Sequence, residues 1–189
     1  MTGGLARLRR GLDFLYAASG AIAGTFLVAI GVVILLQVGG NLIDYVLDRV
    51  AGAPIGLLIP SYAEFAGFFL ASSTFFALSY TLRAGGHIRV NLIVRGLSPA
   101  VRRWTEVGCY GFAAVICAVF SYWAVAQVLE SAEFGDVVPG IVRVPLWIPQ
   151  TSVAAGAVIL TIALLDGLVL LLAGRAPTPS DDDAELQVE

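Results

Sequence analysis

Four stretches of this chain run almost without charge for the length a bilayer demands. A hydrocarbon core about 30 Å thick takes about 20 apolar residues of helix. Between Phe14 and Ile43 there is no charged residue, and 14–36 makes the first full span. The second covers 58–82 and holds one charge, Glu64; the third covers 107–129 with none; the fourth covers 147–173 with only Asp166. The pattern predicts an all-α, polytopic membrane protein with four transmembrane helices. A basic stretch, 5–10, precedes small residues around 21–24, as in a cleaved leader. The apolar run continues well past them, which favours a retained helix. Ser98-Pro99 reads as an N-cap followed by proline at the first helical position. Pro145 and Pro149 bracket the start of the fourth helix.

Composition agrees: 58% of the 189 residues are hydrophobic and 13% charged, against about a quarter charged in soluble domains. The basic residues orient the spans. Arg7, Arg9 and Arg10 lie before the first span, Arg83, Arg89, Arg95, Arg102 and Arg103 between the second and third, and Arg175 after the fourth. The other side holds only Arg49 and Arg143. The excess of arginine on one side predicts both termini in the cytoplasm of a bacterial inner-membrane protein. Trp104 and Trp147 fall at span ends on opposite sides, where amphipathic rings prefer to sit. Residues 1–175 form the predicted membrane domain. Residues 176–189, with Pro-Thr-Pro-Ser and three consecutive aspartates, read as an acidic, disordered tail.

Carboxylates inside a span are costly and invite a functional reading. Glu64 lies 19 residues before Arg83, about 29 Å of helix, and so sits near the periplasmic interface. Asp166 lies 19 residues after Trp147 and sits near the cytoplasmic one. Neither is at the midplane, where transporters place substrate and ion sites. Both read as interfacial groups, Glu64 with Arg49 or Arg143 as partner and Asp166 with Arg102 or Arg103. Gly67, Ala71, Ser72 and Ser79 form a small-residue stripe on the second span, and Gly20 and Gly24 make a GxxxG in the first. Such stripes let helices approach in lipid. Cys109 and Cys117 are eight residues apart in one helix, about 12 Å, too far for a disulfide. With His87 the only histidine, no metal-ligand spacing exists. There is no nucleophile–base set and no phosphate loop.

The most specific stretch is Tyr80-Thr81-Leu82-Arg83-Ala84-Gly85-Gly86-His87-Ile88-Arg89-Val90-Asn91-Leu92. Its glycines permit a sharp turn out of the membrane. Beyond them His87, Arg89 and Asn91 alternate with apolar residues, and the basic members suit lipid headgroups. With Glu64 upstream, Leu97-Ser98-Pro99 and Arg102-Arg103-Trp104 downstream, and Val144-Pro145-Leu146-Trp147-Ile148-Pro149-Gln150 before the fourth span, the chain resembles the small permease subunit of tripartite ATP-independent periplasmic (TRAP) transporters over about residues 10–173. Asn91 stands where many members carry Asp.

The resemblance implies a scaffold beside a large twelve-span subunit that carries the substrate and sodium sites. A periplasmic binding protein would deliver an organic anion such as a carboxylate, and the small subunit would help it dock. On this reading Glu64, Ser72, Arg83, Gly86, His87, Arg89, Asn91 and Asp166 anchor helices or meet the partner, lipid surrounds the chain, and neither cofactor nor nucleic acid is required. Two other classes compete. A membrane enzyme would need several histidines or carboxylates converging in one layer, and the two intramembrane acids lie at opposite interfaces. A self-associating four-span channel or exporter would use the glycine pair and the second-span stripe as seams.

Overall fold

The computed structural model describes residues 2–53, 55–57, 59–85 and 98–174. Four α-helices carry them: α1 Thr2–Ala51, α2 Tyr62–Arg83, α3 Pro99–Phe134 and α4 Trp147–Leu172. Each is long and apolar enough to cross a membrane. The predicted spans 14–36 and 107–129 fall inside α1 and α3, whereas α2 starts at Tyr62 and not at 58, and α4 ends at Leu172, one residue short of the expected 173. The starts of α3 and α4 agree with the cap and proline signals. Ser98 takes the extended N-cap conformation with Pro99 in the first turn, although its side chain makes no capping bond. Pro149 sits in the first turn of α4, where its missing N–H belongs to the set that has no intrahelical acceptor anyway.

The largest difference from expectation is the length of α1. It runs 50 residues, about 75 Å at 1.5 Å per residue, far past the 14–36 expected from hydropathy. Hydropathy measures the lipid-exposed part of a helix, not the helix. Nothing between Thr2 and Ala51 breaks the backbone, and the run ends only where Gly52 adopts φ +67°. The two ends are held differently. At the N-terminal end side chains of α1 reach α2 and α4. At the C-terminal end the connection to α2 folds back along α1 and is bonded to it.

The helices form a row in the order α1, α2, α4, α3, and α1 reaches α4 only slightly. Pairs adjacent in the row run antiparallel except α2 and α4. Along α1 every position spaced alternately three and four residues from Arg9 to Leu47 is buried or half-buried. That 3.5-residue repeat is the seam of a left-handed helix pair, and α2 packs on it. Ser19 donates to the Phe76 carbonyl at 2.6 Å, Ser79 to Ser19 at 3.0 Å, and Ser73 to the Ala23 carbonyl at 2.9 Å. Gly20 lets the Tyr80 ring lie against the α1 backbone: a Cβ there would meet Tyr80 Cγ at 2.7 Å.

Helix α4 occupies the middle of the row and contributes the most buried residues, many of them small: Ala154, Gly156, Ala157, Ala163 and Gly167. In lipid, helices associate through close packing because no hydrophobic force drives them together. Helices α2 and α4 approach backbone to backbone, where a Cβ on Gly156 would stand 2.8 Å from the Phe75 backbone carbon. On the other side Gly167 receives the Tyr110 ring of α3, and Ser121 and Thr161 share a hydrogen bond at 3.0 Å. Phe75 stacks on Phe120 of α3 at 5.6 Å. A row one helix thick leaves both faces bare, so Leu35, Phe112 and Trp123 remain about two-thirds or more exposed. Such faces suit lipid or another membrane subunit.

Candidate functional site

Charged side chains of three helices converge at the end of the row that carries most of the described arginines. Arg9, Asp13 and Tyr16 are spaced i, i+4 and i+7 and so share one face of α1. Arg83 occupies the last turn of α2, where a cation meets the negative end of the helix dipole. Asp166 lies in the last third of α4. Arg9 Nη1 donates to Asp166 Oδ1 at 3.2 Å, Arg83 Nη1 stands 3.7 Å from Asp166 Oδ2, and Arg83 Nη2 donates to Asp13 Oδ1 at 3.0 Å. The Arg83 guanidinium also covers the Tyr16 ring, 5.6 Å from its centre. Two guanidiniums thus balance two carboxylates.

Burial makes this clasp matter. The Asp166 side chain is only 11% exposed and that of Arg83 20%. A buried carboxylate is tolerated when paired, and removing one partner strands the other. The structure corrects the expectation that Asp166 would pair with Arg102 or Arg103. Both lie on α3, beyond α4 in the row, whereas Asp166 faces α1 and α2. Arg102 instead pairs with Glu106 on its own helix at 3.3 Å. Arg103 donates to the Leu172 carbonyl at 2.9 Å, satisfying one of the open carbonyls at the end of α4.

The opposite end is built from backbone. Asp44 of α1 accepts the N–H groups of Ile55, Gly56 and Leu57 at 3.1, 3.2 and 2.7 Å. The buried Gln37 accepts that of Ile59 at 2.9 Å. Ser61, the one non-glycine residue with positive φ among those described, starts α2 and accepts the N–H of Val142 from the loop before α4. That loop closes on itself through Val138 N–H to the Val144 carbonyl and Leu146 N–H to the Asp136 carbonyl.

Glu64 lies in the first turn of α2, the favourable end of the dipole for an acid. It faces Gly140, where a Cβ would come within 3.4 Å of its Oε1. The expected pairing with Arg49 or Arg143 is not formed among the described residues. Arg49 lies over the Tyr45 ring at 5.3 Å instead, because α1 carries it well past the start of α2.

Of the other expected site residues, Ser72 is buried and its hydroxyl bonds back to the Phe68 carbonyl at 2.8 Å. Gly86, His87, Arg89 and Asn91 lie outside the described residues. The small-residue stripe divides: Ser72 and Ser79 are buried, while Gly67 is exposed with open space around it. Gly20 packs within the chain and Gly24 faces open space. Cys109 and Cys117 are free. Sequence reasoning missed Arg9, Asp13, Tyr16, Asp44 and Gly156. For Arg9 and Tyr16 the signal was present: both continue the 3.5-residue seam of α1 outward from its apolar centre. Among the described residues no three histidine, cysteine or acidic side chains gather as a metal site.

Comparison with curated proteins and with solved structures returned no match. The family described as "Tripartite ATP-independent periplasmic transporters, DctQ component" matches residues 53–174. That region holds α2, α3 and α4, Arg83 and Asp166, while α1 with its share of the clasp lies outside it. The match takes in nearly two thirds of the chain and describes a transporter component, not an enzyme. A row of four membrane-spanning helices locked by an interhelical charge clasp is thus the form taken here by a member of the DctQ family, the small subunit of TRAP transporters.

Proposed function

We propose that this subunit is a rigid support for the large substrate- and sodium-translocating permease, and that its far end helps dock the periplasmic binding protein during uptake of an organic anion such as a carboxylate. The observation that carries the reading is where the polar groups lie. Ion pairs and backbone hydrogen bonds concentrate at the two ends of the row, and the middle is closed by Gly156, Phe75 and Phe120. A body braced at both ends and uncharged between them suits support of a moving neighbour better than passage of solute. Arg83 and Asp166 hold the row together in this role, and Glu64 and Ser72 shape α2 as one wall. The turn at Gly86, His87, Arg89 and Asn91 meets headgroups or the large subunit. Both termini face the cytoplasm of the bacterial inner membrane, residues 1–175 form the membrane domain, and 176–189 trail as a tail.

The test is co-purification followed by reconstitution. The tagged chain, extracted from its native membrane, is expected to bring a larger polytopic protein with it. Vesicles holding both, supplied with the binding protein, should accumulate an organic anion under an inward sodium gradient. Omission of this chain should abolish uptake. Transport by this chain alone would sink the proposal and favour a self-associating channel or exporter.

A further inference from the structure

The clasp contains two polar atoms sealed from solvent and without a hydrogen-bond partner among the described residues: the Tyr16 hydroxyl and Asp166 Oδ2. Tyr16 is 2% exposed. Asp166 Oδ1 is served by Arg9, but Oδ2 stands 3.7 Å from Arg83, an ion-pair distance too long for a hydrogen bond. Both atoms belong to groups gathered about one guanidinium, since Arg83 also covers the Tyr16 ring.

The two are chemically complementary. A phenol both donates and accepts, and a carboxylate only accepts. A buried water takes two to four polar partners and is placed where protein groups are otherwise unpaired. A cation would meet two guanidiniums, and an anion would meet Asp166. We propose that a single bound water links Tyr16 to Asp166, accepting the phenol proton and donating to Oδ2. It makes one network of α1, α2 and α4. The proposal rests on the clasp and is independent of the scaffold reading.

Two measurements on the intact chain in its complex decide it. A density map that resolves other buried waters should show one within hydrogen-bond range of both Tyr16 and Asp166. Tyr16→Phe keeps the ring under Arg83 and removes only the hydroxyl. It should lower the thermal midpoint by about 2–4 °C, the shift expected for one lost hydrogen bond in a chain of this size. In an Asp166→Leu background, which removes the acceptor, the same change should shift it by much less, because the two residues share the water. A map without density there, a direct Tyr16–Asp166 bond, or a Tyr16→Phe protein as stable as the parent or more so would overturn the proposal. If Tyr16→Phe fails to assemble, the map of the unaltered protein decides.

Discussion

The two ends of the helix row are fastened in different ways. At the arginine-rich end, four charged side chains from three helices meet, and each bond joins side chain to side chain. At the far end most bonds end on backbone N–H groups, taken up by Asp44, Gln37 and Ser61. Strength at the first end depends on a few groups that are costly to leave unpaired. At the second it is spread over several bonds, most of them exposed and replaceable by water. The first end should therefore fail sharply when one residue is changed, and the second gradually.

The sharpest test of that contrast is Asp166→Ala. It leaves Arg83, and in part Arg9, without the buried carboxylate they share. Breaking one side of a buried pair costs about 3–5 kcal/mol. The lower part of that range applies here because the Arg9 side chain is more than a third exposed. The change should appear as a marked fall in thermal midpoint and in yield of the purified complex. Replacing Asp166 by Leu together with Arg9 and Arg83 by Met should recover most of the loss, since an apolar replacement of a buried pair is often neutral and the carboxylate left behind, Asp13, is 53% exposed. A triple variant as unstable as Asp166→Ala would show that the charges do more than balance one another.

Between the ends, Gly156→Ala probes packing with no charge involved. Its Cβ would press on the backbone of Phe75, which cannot swing aside as a side-chain tip can. Overpacking of this kind costs about 1–3 kcal/mol, so the variant should unfold earlier than the parent but later than Asp166→Ala. Retention of parental stability would mean that α2 and α4 separate readily, and the row would be looser than its geometry suggests. At the far end, Asp44→Ala removes the acceptor of three backbone N–H groups. These are exposed and water replaces the carboxylate, so the loss should be about 1 kcal/mol. Faster proteolysis within 53–60, with the midpoint lowered by only about 2–4 °C, is the expected readout. A collapse as large as that of Asp166→Ala would erase the distinction between the ends.

Much of this arrangement could be read from the sequence because lipid imposes a simple rule: uncharged runs of sufficient length become spanning helices. Helix starts were legible where proline and serine mark them, as at Ser98 and Pro99. The arginine-rich cluster was legible by residue type but not by partner. Asp166 had candidate arginines on every neighbouring segment, and only the order of helices in the row decides that Arg9 and Arg83 are the near ones. That order is set by glycines such as Gly156, and an all-apolar helix looks alike from every side in sequence. The far end was hidden for a different reason. Asp44 and Gln37 act on backbone N–H groups, which every residue carries, so no side-chain pattern announces the bond.

The smallest expected effect bears on the bare faces of the row. Gly24 lies four residues from Gly20 in the same helix, yet a Cβ there meets nothing within 4 Å, while one at Gly20 would strike Tyr80. For Gly24→Ala the helix gains the backbone restriction that glycine lacks, about 1 kcal/mol at most. The midpoint of the isolated chain should rise slightly or stay level, whereas Gly20→Ala should lower it. The comparison becomes more informative in the assembled transporter. If Gly24→Ala leaves the isolated chain intact but reduces recovery of the large subunit, Gly24 lies under that partner, and the face of α1 opposite its seam with α2 is the docking face. If recovery is unchanged, that face looks onto lipid and the large subunit must approach the row from elsewhere.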